Sequence, residues 1–291
     1  MITINGIKME LGNFPDYTCY DFDVKIQKNN VYHIHWNFFS EDELVYLYYY
    51  VNHIREIYGN DSKIVLHIPY IPNGRMDRVH NQKKELFTLK YFTRFINSLH
   101  FNQVFVLDPH SNVSPALIDR CVVLDANQYI DRAIDDIKKK SIFNCIYVYF
   151  PDEGAMKRYG GVEELNGYKK IYGKKIRDFR TGEIKGLSIH DENGGDIQMD
   201  SPEHSAVLMI DDIVSYGGTL YHSANKLKEL GVGSIFAYAT HSENSLFSFL
   251  KGKLIKLIED GTVSKLYTTN SIEKVEEFDN YNIEVFDVNY N

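Results

Sequence analysis

The stretch AVLMIDDIVSYGGT, residues 206–219, carries the pattern on which the fold and the candidate chemistry of this chain depend. Its apolar start, Ala206 to Ile210, is typical of a buried strand, and two carboxylates follow at once, Asp211 and Asp212. The next segment is a loop of small and polar residues: Ser215, Tyr216, Gly217, Gly218 and Thr219. Helical apolar spacing then continues as far as Gly231. The stretch predicts a strand, an acidic pair, a small-residue loop and a helix N-terminus.

This arrangement predicts a ligand that carries both hydroxyls and a phosphate. In open α/β sheets, ligands bind at the carboxyl ends of strands. Glycines let backbone N–H groups approach closely, and a helix N-terminus attracts anions. Two carboxylates beside such a loop suit sugar hydroxyls, so a ribose phosphate is the simplest ligand. The loop alone also fits an ordinary strand-to-helix turn with an N-cap.

Composition indicates a globular protein and excludes several classes of partner. The chain has 291 residues, of which 44% are hydrophobic and 25% charged, enough for one large or two medium domains. Its net charge of −8 disfavours nonspecific nucleic-acid binding, which needs a basic face. The cysteines, Cys19, Cys121 and Cys145, are far apart, which favours a reducing cytoplasm. No apolar signal core or membrane-length apolar run is present, so we expect no membrane partner.

Other predicted strands also end in side chains capable of chemistry. KIVLHIPY is followed by Arg75 and Asp77, QVFVL by His110, and CIYVYF by Asp152. Each has a simpler interpretation: a solvated loop, a structural histidine and a helix N-cap, respectively. The basic segment 167–186 contains Lys175 and Arg177 and suits a mobile flap that closes over phosphates.

Strands and helices alternate through most of the chain, which predicts a mainly parallel, doubly wound α/β architecture. A change of pattern near Ala126 separates domain 1–126 from domain 127–291. Ser40 is the expected N-cap of the first helix, and residues 246–258 are expected to be helical. His33 and His35 alternate within VYHIHW and are interpreted as sheet-face residues rather than metal ligands.

Taken together, these blocks resemble the ribose-phosphate pyrophosphokinases, also called phosphoribosyl-pyrophosphate synthetases. The stretch 206–219 resembles the family's ribose-phosphate loop. IPYIPNGRMDR (68–78) is similar to its PYFPYARQDR block, VLDPH (106–110) to its MDLH strand end, and PDEGAMKR (151–158) to its SPDAGGAKR segment. GKKIR (173–177) resembles the K-x-R of its catalytic loop, and FPD (14–16) the opening of its adenine loop. The blocks occur in the family's order and cover nearly the whole chain.

The resemblance implies a fold of two phosphoribosyltransferase-like domains, each a mainly parallel sheet flanked by helices. It implies transfer of the β,γ-diphosphate of ATP to the anomeric hydroxyl of ribose 5-phosphate, giving phosphoribosyl pyrophosphate and AMP. Mg²⁺ would be the cofactor and ATP the co-substrate. A homo-oligomer, dimer or hexamer, is expected, with neither nucleic acid nor membrane as partner.

The same resemblance implies roles for individual residues of this chain. The catalytic residues would be Lys175, Arg177, His110 and Asp212. ATP would contact Phe14, Asp16, Arg75, Asp77 and His110, the first two across a subunit interface. Mg²⁺ would be held by His110 and Asp152. The ribose and its phosphate would contact Asp211, Asp212, Ser215, Tyr216, Gly217, Gly218 and Thr219.

The chain departs from the family at several of these positions. Thr18 stands where the adenine loop has Glu, and Met76 where the ATP block has Gln. In the sugar loop, Ser215 replaces a common Asp, and Tyr216 replaces Thr. A larger ribosyl nucleotide such as ADP-ribose is therefore an alternative acceptor. A phosphoribosyltransferase and a non-catalytic regulatory homologue are the alternatives of other classes.

Overall fold

The computed structural model describes residues 1–81, 84–140, 142–177, 184–197, 199–274 and 276–288, without the side chains of 175–177 and 184–185. The chain divides into two compact units. The first contains Met1–Asp125, joined by Ser271–Glu273 and Val288. The second contains Ala126–Asn270 and Lys274–Asp287. The return of the short segment Ser271–Glu273 to the first unit has no signature in the sequence pattern.

The first unit is built on a mixed sheet. Its strands are β1 (Ile2–Ile4), β2 (Ile7–Lys8), β3 (Gly12–Asn13), β4 (Cys19–Tyr20), β5 (Val31–Trp36), β6 (Lys63–His67), β7 (Gln103–Leu107) and β8 (Cys121–Leu124). Its helices are α1 (Glu43–Tyr58), α2 (Thr88–Ser98) and α3 (Val113–Leu117). The main sheet has the order β2-β1-β5-β6-β7-β8, parallel from β5 to β8 and antiparallel at β1 and β2. β3 and β4 form a separate antiparallel ribbon.

The first helix begins later than the sequence predicts. Ser40 makes no cap, and α1 starts at Glu43 after a turn. The Glu43 carboxylate accepts a hydrogen bond from Trp36 Nε1 at 2.8 Å and another from the Phe39 backbone N–H at 2.8 Å. Because this buried carboxylate satisfies donors that precede the helix, it fixes the first turn at its own position.

The histidines of β5 lie on the sheet face, as the alternating pattern predicts. The ring of His35 stacks on His67 with centroids 4.3 Å apart, and His33 Nδ1 lies 3.0 Å from His67 Nε2. Burial, reinforced by His35 and His33, lowers the pKa of His67 to about 3. His67 is therefore neutral at physiological pH, which allows the rings to pack closely.

The second unit is built on a longer sheet. Its strands are β9 (Cys145–Phe150), β10 (Lys169–Arg177), β11 (Ile184–Asp191), β12 (Ser205–Val214), β13 (Ser234–Ser242), β14 (Lys265–Thr269) and β15 (Ile283–Phe286). Its helices are α4 (Asn127–Lys139), α5 (Glu153–Tyr159), α6 (Gly218–Glu229) and α7 (Leu254–Glu259). The order is β11-β10-β9-β12-β13-β14-β15, parallel except for the β10–β11 hairpin.

The two mainly parallel sheets confirm the predicted α/β fold class. The position of β12 explains its apolar run, because a strand with parallel neighbours on both sides is buried on both faces. Among the described helices, none is long and apolar enough to cross a membrane.

The helix predicted over residues 246–258 is interrupted. A 3-10 turn, Asn244–Phe247, is separated from α7 by a turn that contains Gly252. A Cβ atom at Gly252 would overlap the Leu246 carbonyl oxygen, so the backbone approaches there as only glycine allows. The break matters because the turn packs against the loop 215–219.

An ion-pair network joins α4 to the sheet of the second unit. Asp136 Oδ2 lies 3.0 Å from Lys265 Nζ and accepts a 2.7 Å hydrogen bond from Tyr267 Oη. Partial burial acts to raise the pKa of Asp136, but the bonds from Tyr267 and Lys265 outweigh it and hold that pKa below its usual range. The charged form of Asp136 is therefore favoured by folding.

We expect Asp136→Asn to lower the free energy of unfolding by about 1–3 kcal/mol at pH 7, because it removes charge-assisted hydrogen bonds. A carboxylate with a lowered folded-state pKa stabilises the protein above the ordinary pKa of 3.8. The difference should thus shrink as the pH falls below about 4. Urea unfolding at several pH values measures it. Asp135→Asn, which removes an exposed partner of Lys138, is the control, and an equal loss in both variants would contradict the assignment.

Candidate active site

The acidic pair lies inside a strand rather than after it. β12 runs on to Val214 because β13 continues to pair with it as far as Val214 and Ser242. On the other side, pairing with β9 ends at Met209. Asp211 and Asp212 therefore occupy the part of β12 that projects beyond β9, where one edge of the strand is released from the sheet.

Asp212 is buried and carries its own counter-ion. Its side chain is about 8% exposed, and its Oδ2 lies 3.0 Å from Arg158 Nη1. Arg158 comes from α5, the helix that begins directly after Asp152. The sequence pattern alone assigns no role to Arg158. Its place in the block PDEGAMKR was the available signal, because that block follows the strand next to β12.

Asp211, unlike the ion-paired Asp212, has a pKa that is raised well above its usual range. Burial, followed by the neighbouring Asp212 carboxylate and then by Asp152, raises the pKa of Asp211 well above its usual range. The Asp212 backbone N–H donates to Asp211 Oδ1 at 3.0 Å, which acts in the opposite direction. In this pair, Arg158 balances the charge of the Asp212 carboxylate, and the Asp211 carboxyl group readily binds a proton. The pair can therefore accept hydrogen bonds from sugar hydroxyls and also donate hydrogen bonds to them.

Asp152 caps α5, as the simpler interpretation of its position predicts. Its Oδ1 accepts hydrogen bonds from the backbone N–H groups of Gly154 at 2.9 Å and Ala155 at 3.0 Å. The same carboxylate also contributes to the raised pKa of the buried Tyr149, after burial itself. The cap therefore does not isolate Asp152 from the site, since its charge acts on Asp211 and Tyr149 as well.

The loop between β12 and α6 is shaped by glycine. Gly217 has a φ of +74°, and a Cβ atom there would overlap Leu254 Cβ. α6 begins at Gly218, so the backbone of the loop leads directly into a helix N-terminus. Ser215 Oγ lies 2.9 Å from Ser245 Oγ, and the Tyr216 side chain is 40% exposed. The described geometry thus joins Asp211 and Asp212 to the loop 215–219, as the sequence predicts.

Three of the predicted ATP-binding residues follow strand ends of the first unit. The turn after β6 is closed by hydrogen bonds from Gly74 N–H to Ile71 O at 3.2 Å and from Met76 N–H to Asn73 O at 2.8 Å. A Cβ atom at Gly74 would lie 3.9 Å from His110 Cβ, so this turn and the end of β7 are adjacent. Arg75, Asp77 and His110 therefore follow two neighbouring strands of one sheet: β6 and β7.

Phe14 and Asp16 lie in the turn that joins β3 to β4 in the first unit. Asp16 Oδ1 accepts hydrogen bonds from the Thr18 N–H at 3.0 Å and from Thr18 Oγ1 at 2.7 Å, which lowers the pKa of Asp16. This exposed carboxylate thus closes the ribbon turn. The ring of Phe14 lies 4.6 Å from that of Tyr20, centroid to centroid. A contact of these residues with adenine across a subunit interface stays a prediction.

The predicted basic flap is an antiparallel hairpin over its described residues. Lys175 pairs with Leu187, and Arg177 with Ile184, in the β10–β11 ladder at the edge of the sheet. The side chains of Lys175 and Arg177 lie outside the described part of the structure. Their predicted catalytic role is untested.

Metal binding is likewise a prediction. Among the described residues, no group of three or more His, Cys, Asp or Glu side chains is arranged to hold a metal ion. His110 belongs to the first unit and Asp152 to the second.

We expect Gly217→Ala to destabilise the loop, because alanine combines a left-handed backbone with an overlap against Leu254. The free energy of unfolding should fall by about 2 kcal/mol or more in urea titrations. Gly218→Ala is the matched control: its Cβ would contact only Lys253 Cδ at 4.0 Å, so its loss should be much smaller. Equal stability of the Gly217 variant and the wild type would contradict the required geometry.

The chain has named relatives along most of its length. A ribose-phosphate pyrophosphokinase of Pyrococcus abyssi is 29% identical over 212 residues, which are 72% of this chain and 66% of that protein. One of Sulfolobus acidocaldarius is 26% identical over 235 residues, which are 80% of this chain and 73% of that protein. The match with Pyrococcus abyssi thus spans just under two thirds of that relative's length. No protein-family model matches the chain.

The fold has a counterpart among solved structures. A phosphoribosylpyrophosphate synthetase from Mycobacterium smegmatis superposes with a TM-score of 0.69, covering 96% of this chain and 85% of that one at 14% identity. The chain is thus similar in sequence to ribose-phosphate pyrophosphokinases, and it shares its fold with a phosphoribosylpyrophosphate synthetase.

Proposed function

We propose that this protein is an ATP-dependent diphosphotransferase that moves the β,γ-diphosphate of ATP to the anomeric hydroxyl of ribose 5-phosphate. The products are phosphoribosyl pyrophosphate and AMP. The observation that carries the proposal is the junction of β12 and α6, where two carboxylates lead into a glycine loop at a helix N-terminus. The names of the relatives agree with it.

We assign the binding of the ribose acceptor from the ion pair of Asp212 and the raised pKa of Asp211. Asp212, held by Arg158, offers a fixed acceptor for a ribose hydroxyl. Asp211, with its raised pKa, is adjacent and able to receive a proton. The two aspartates hold the sugar in place and leave its anomeric hydroxyl free to attack the transferring diphosphate of ATP. The backbone N–H groups of the loop 215–219 bind the 5-phosphate, with Ser215, Tyr216, Gly217, Gly218 and Thr219 as the contact residues.

The transfer itself requires positioning and charge neutralisation more than a covalent nucleophile. On the ATP side, Arg75, Asp77 and His110 follow adjacent strand ends, and we assign them to the triphosphate. Phe14 and Asp16 are assigned to adenine from a second subunit of a homo-oligomer. Lys175 and Arg177 are assigned to the transferring phosphates, where their charges oppose the charge that develops in the transition state.

Asp152 suits Mg²⁺ by the chemistry of its donor atoms. Magnesium prefers oxygen ligands, and it is commonly held by one or two carboxylates together with waters and substrate phosphates. Asp152 is exposed and engages the α5 N-terminus through Oδ1. Magnesium, when bound, would neutralise charge on the β- and γ-phosphates. His110 is assigned to ATP, as the resemblance implies.

The deciding experiment incubates the protein with ATP, Mg²⁺ and ribose 5-phosphate and measures AMP by chromatography. Stoichiometric AMP and phosphoribosyl pyrophosphate are expected. Formation of ADP would identify an ordinary kinase, and absence of AMP with every ribosyl acceptor would overturn the proposal. Phosphoribosyl pyrophosphate consumed in the presence of a nucleobase would indicate a phosphoribosyltransferase instead.

We expect Asp152→Asn to weaken magnesium-dependent ATP binding by about tenfold or more, because it removes a ligand charge. Stability should change little, since Asn caps a helix about as well as Asp. Calorimetric titration of Mg·ATP measures the affinity, and urea unfolding measures the stability. Glu153→Gln, which removes the next carboxylate of α5, is the control. Unchanged affinity in Asp152→Asn would leave capping as its sufficient role.

A larger ribosyl nucleotide, such as ADP-ribose, is the second candidate acceptor. The observation that favours it is the 40% exposure of Tyr216, whose ring stands at the loop assigned to the 5-substituent. An exposed phenol ring adds no backbone donor for a compact phosphate, but it can stack on a base.

If a base stacks on this ring, Tyr216→Thr should lower kcat/KM for ADP-ribose by about tenfold, since such stacking is worth roughly 1–3 kcal/mol. The value for ribose 5-phosphate should stay within about twofold. Both acceptors are compared with AMP formation as the readout. An equal effect on the two acceptors would exclude stacking, and preference for ribose 5-phosphate in both proteins would remove this alternative.

A further inference from the structure

A second stretch of the chain lies against the proposed sugar loop. We call residues 243–253 the covering segment. Its start is fixed by the Glu243 N–H, which donates to Val214 O at 2.8 Å, and its end by the Lys253 N–H, which donates to Tyr216 O at 2.7 Å. In between, Ser245 Oγ lies 2.9 Å from Ser215 Oγ and donates to Glu243 Oε2 at 3.3 Å. The covering segment is thus attached to the end of β12 at one point and to the loop at two.

These attachments bring two lysines to the loop. The side chain of Lys253 passes beside Gly218, where a Cβ atom would lie 4.0 Å from Lys253 Cδ. Its Nζ is 5.9 Å from the ring centroid of Tyr221, in the first turn of α6. Lys251 Nζ is 5.4 Å from the ring centroid of Tyr216. One ammonium therefore lies along the first turn of α6, and the other lies over the loop itself.

The surroundings explain why such cations are needed. The loop 215–219 contains no cationic residue. The carboxyl groups near this end of the sheet include Asp211 and Asp212 within β12 and Asp152 at the N-cap of α5. The guanidinium of Arg158 is already engaged with Asp212. The loop itself therefore offers backbone N–H groups but no positive charge to an anionic substituent, and the lysines of the covering segment supply that charge.

A buried hydroxyl at the same strand end also points to a bound polar group. Ser242 lies opposite Val214 in the β12–β13 ladder, and Val214 directly precedes the loop. Ser242 is 4% exposed. Its Oγ has no hydrogen-bond partner among the described residues. A buried hydroxyl usually has a partner, so an unsatisfied one beside the loop is consistent with a position for ligand or water.

We propose that Lys251 and Lys253 are specificity-determining residues that select an acceptor with an anionic 5-substituent. The inference rests on the proposed function, because it assigns the substituent of that acceptor to the loop 215–219. Lys253 contacts the group bound at the first turn of α6. Lys251 contacts the outer side of the same group, or a further phosphate attached to it. Their role is recognition of charge, and the reacting atoms lie at the other end of the ribose.

Direct binding tests the inference without turnover. Calorimetry with ribose 5-phosphate should give a dissociation constant about tenfold higher for Lys253→Gln and higher still for the double variant with Lys251→Gln, since each removes a charge-assisted contact. Ribose serves as the uncharged probe, and its affinity should not change. Lys256→Gln, on the exposed side of α7, is the matched control. Unchanged affinity for ribose 5-phosphate in the double variant, or no measurable binding by the wild type, overturns the inference.

An assay of turnover distinguishes a failure of this inference from a failure of the proposed function. In the AMP assay, the double variant should raise the KM for ribose 5-phosphate, keep the KM for ATP, and reduce the preference for ribose 5-phosphate over ribose. A comparable rise in the KM for ATP would overturn the role, because the lysines would then serve the nucleotide. If the wild type forms no AMP but binds ribose 5-phosphate through these lysines, the proposed function fails and the recognition role stands.

Discussion

The ion pair between Asp212 and Arg158 is the interaction on which the site of the second unit depends. A buried carboxylate is costly unless it is paired, and here the partner comes from the helix that follows the neighbouring strand. The pair ties α5 to the projecting end of β12. Asp211, next in the same strand, has a pKa raised by burial and then by the Asp212 carboxylate, so the two neighbouring acids differ in their state.

The loop 215–219 owes its shape both to its own glycine and to the segment packed against it. Gly217 is required where Leu254 approaches, and Gly252 is required where the chain turns back beside Leu246. Both glycines serve the same packing, in which the turn before α7 lies on the loop before α6. Because the backbone of the loop is fixed from outside, its N–H groups can be oriented before any ligand binds.

Charge is distributed unevenly at this end of the sheet. Carboxylates gather at the ends of β9 and β12, and cations come from α5 and from the covering segment. A sugar that carries hydroxyls at one end and an anionic group at the other matches this division. In the first unit, burial lowers the pKa values of His67 and of His35, whose rings stack, so this sheet face serves packing.

The sequence by itself determined the α/β class, the sequence of strands and helices, and the polar residues at strand ends, because apolar periodicity and glycine placement are local properties. It also indicated the acidic pair and the loop 215–219. It did not show that β12 continues through Asp211 and Asp212, that α1 starts at Glu43, or that residues 246–258 are broken by a turn. Those features depend on pairing with β13, on the contact between Glu43 and Trp36, and on close packing at Gly252. Only the tertiary structure joined Arg158 to Asp212 and brought Lys251 and Lys253 to the loop, because residues far apart in sequence meet only when the sheet and its connections are formed.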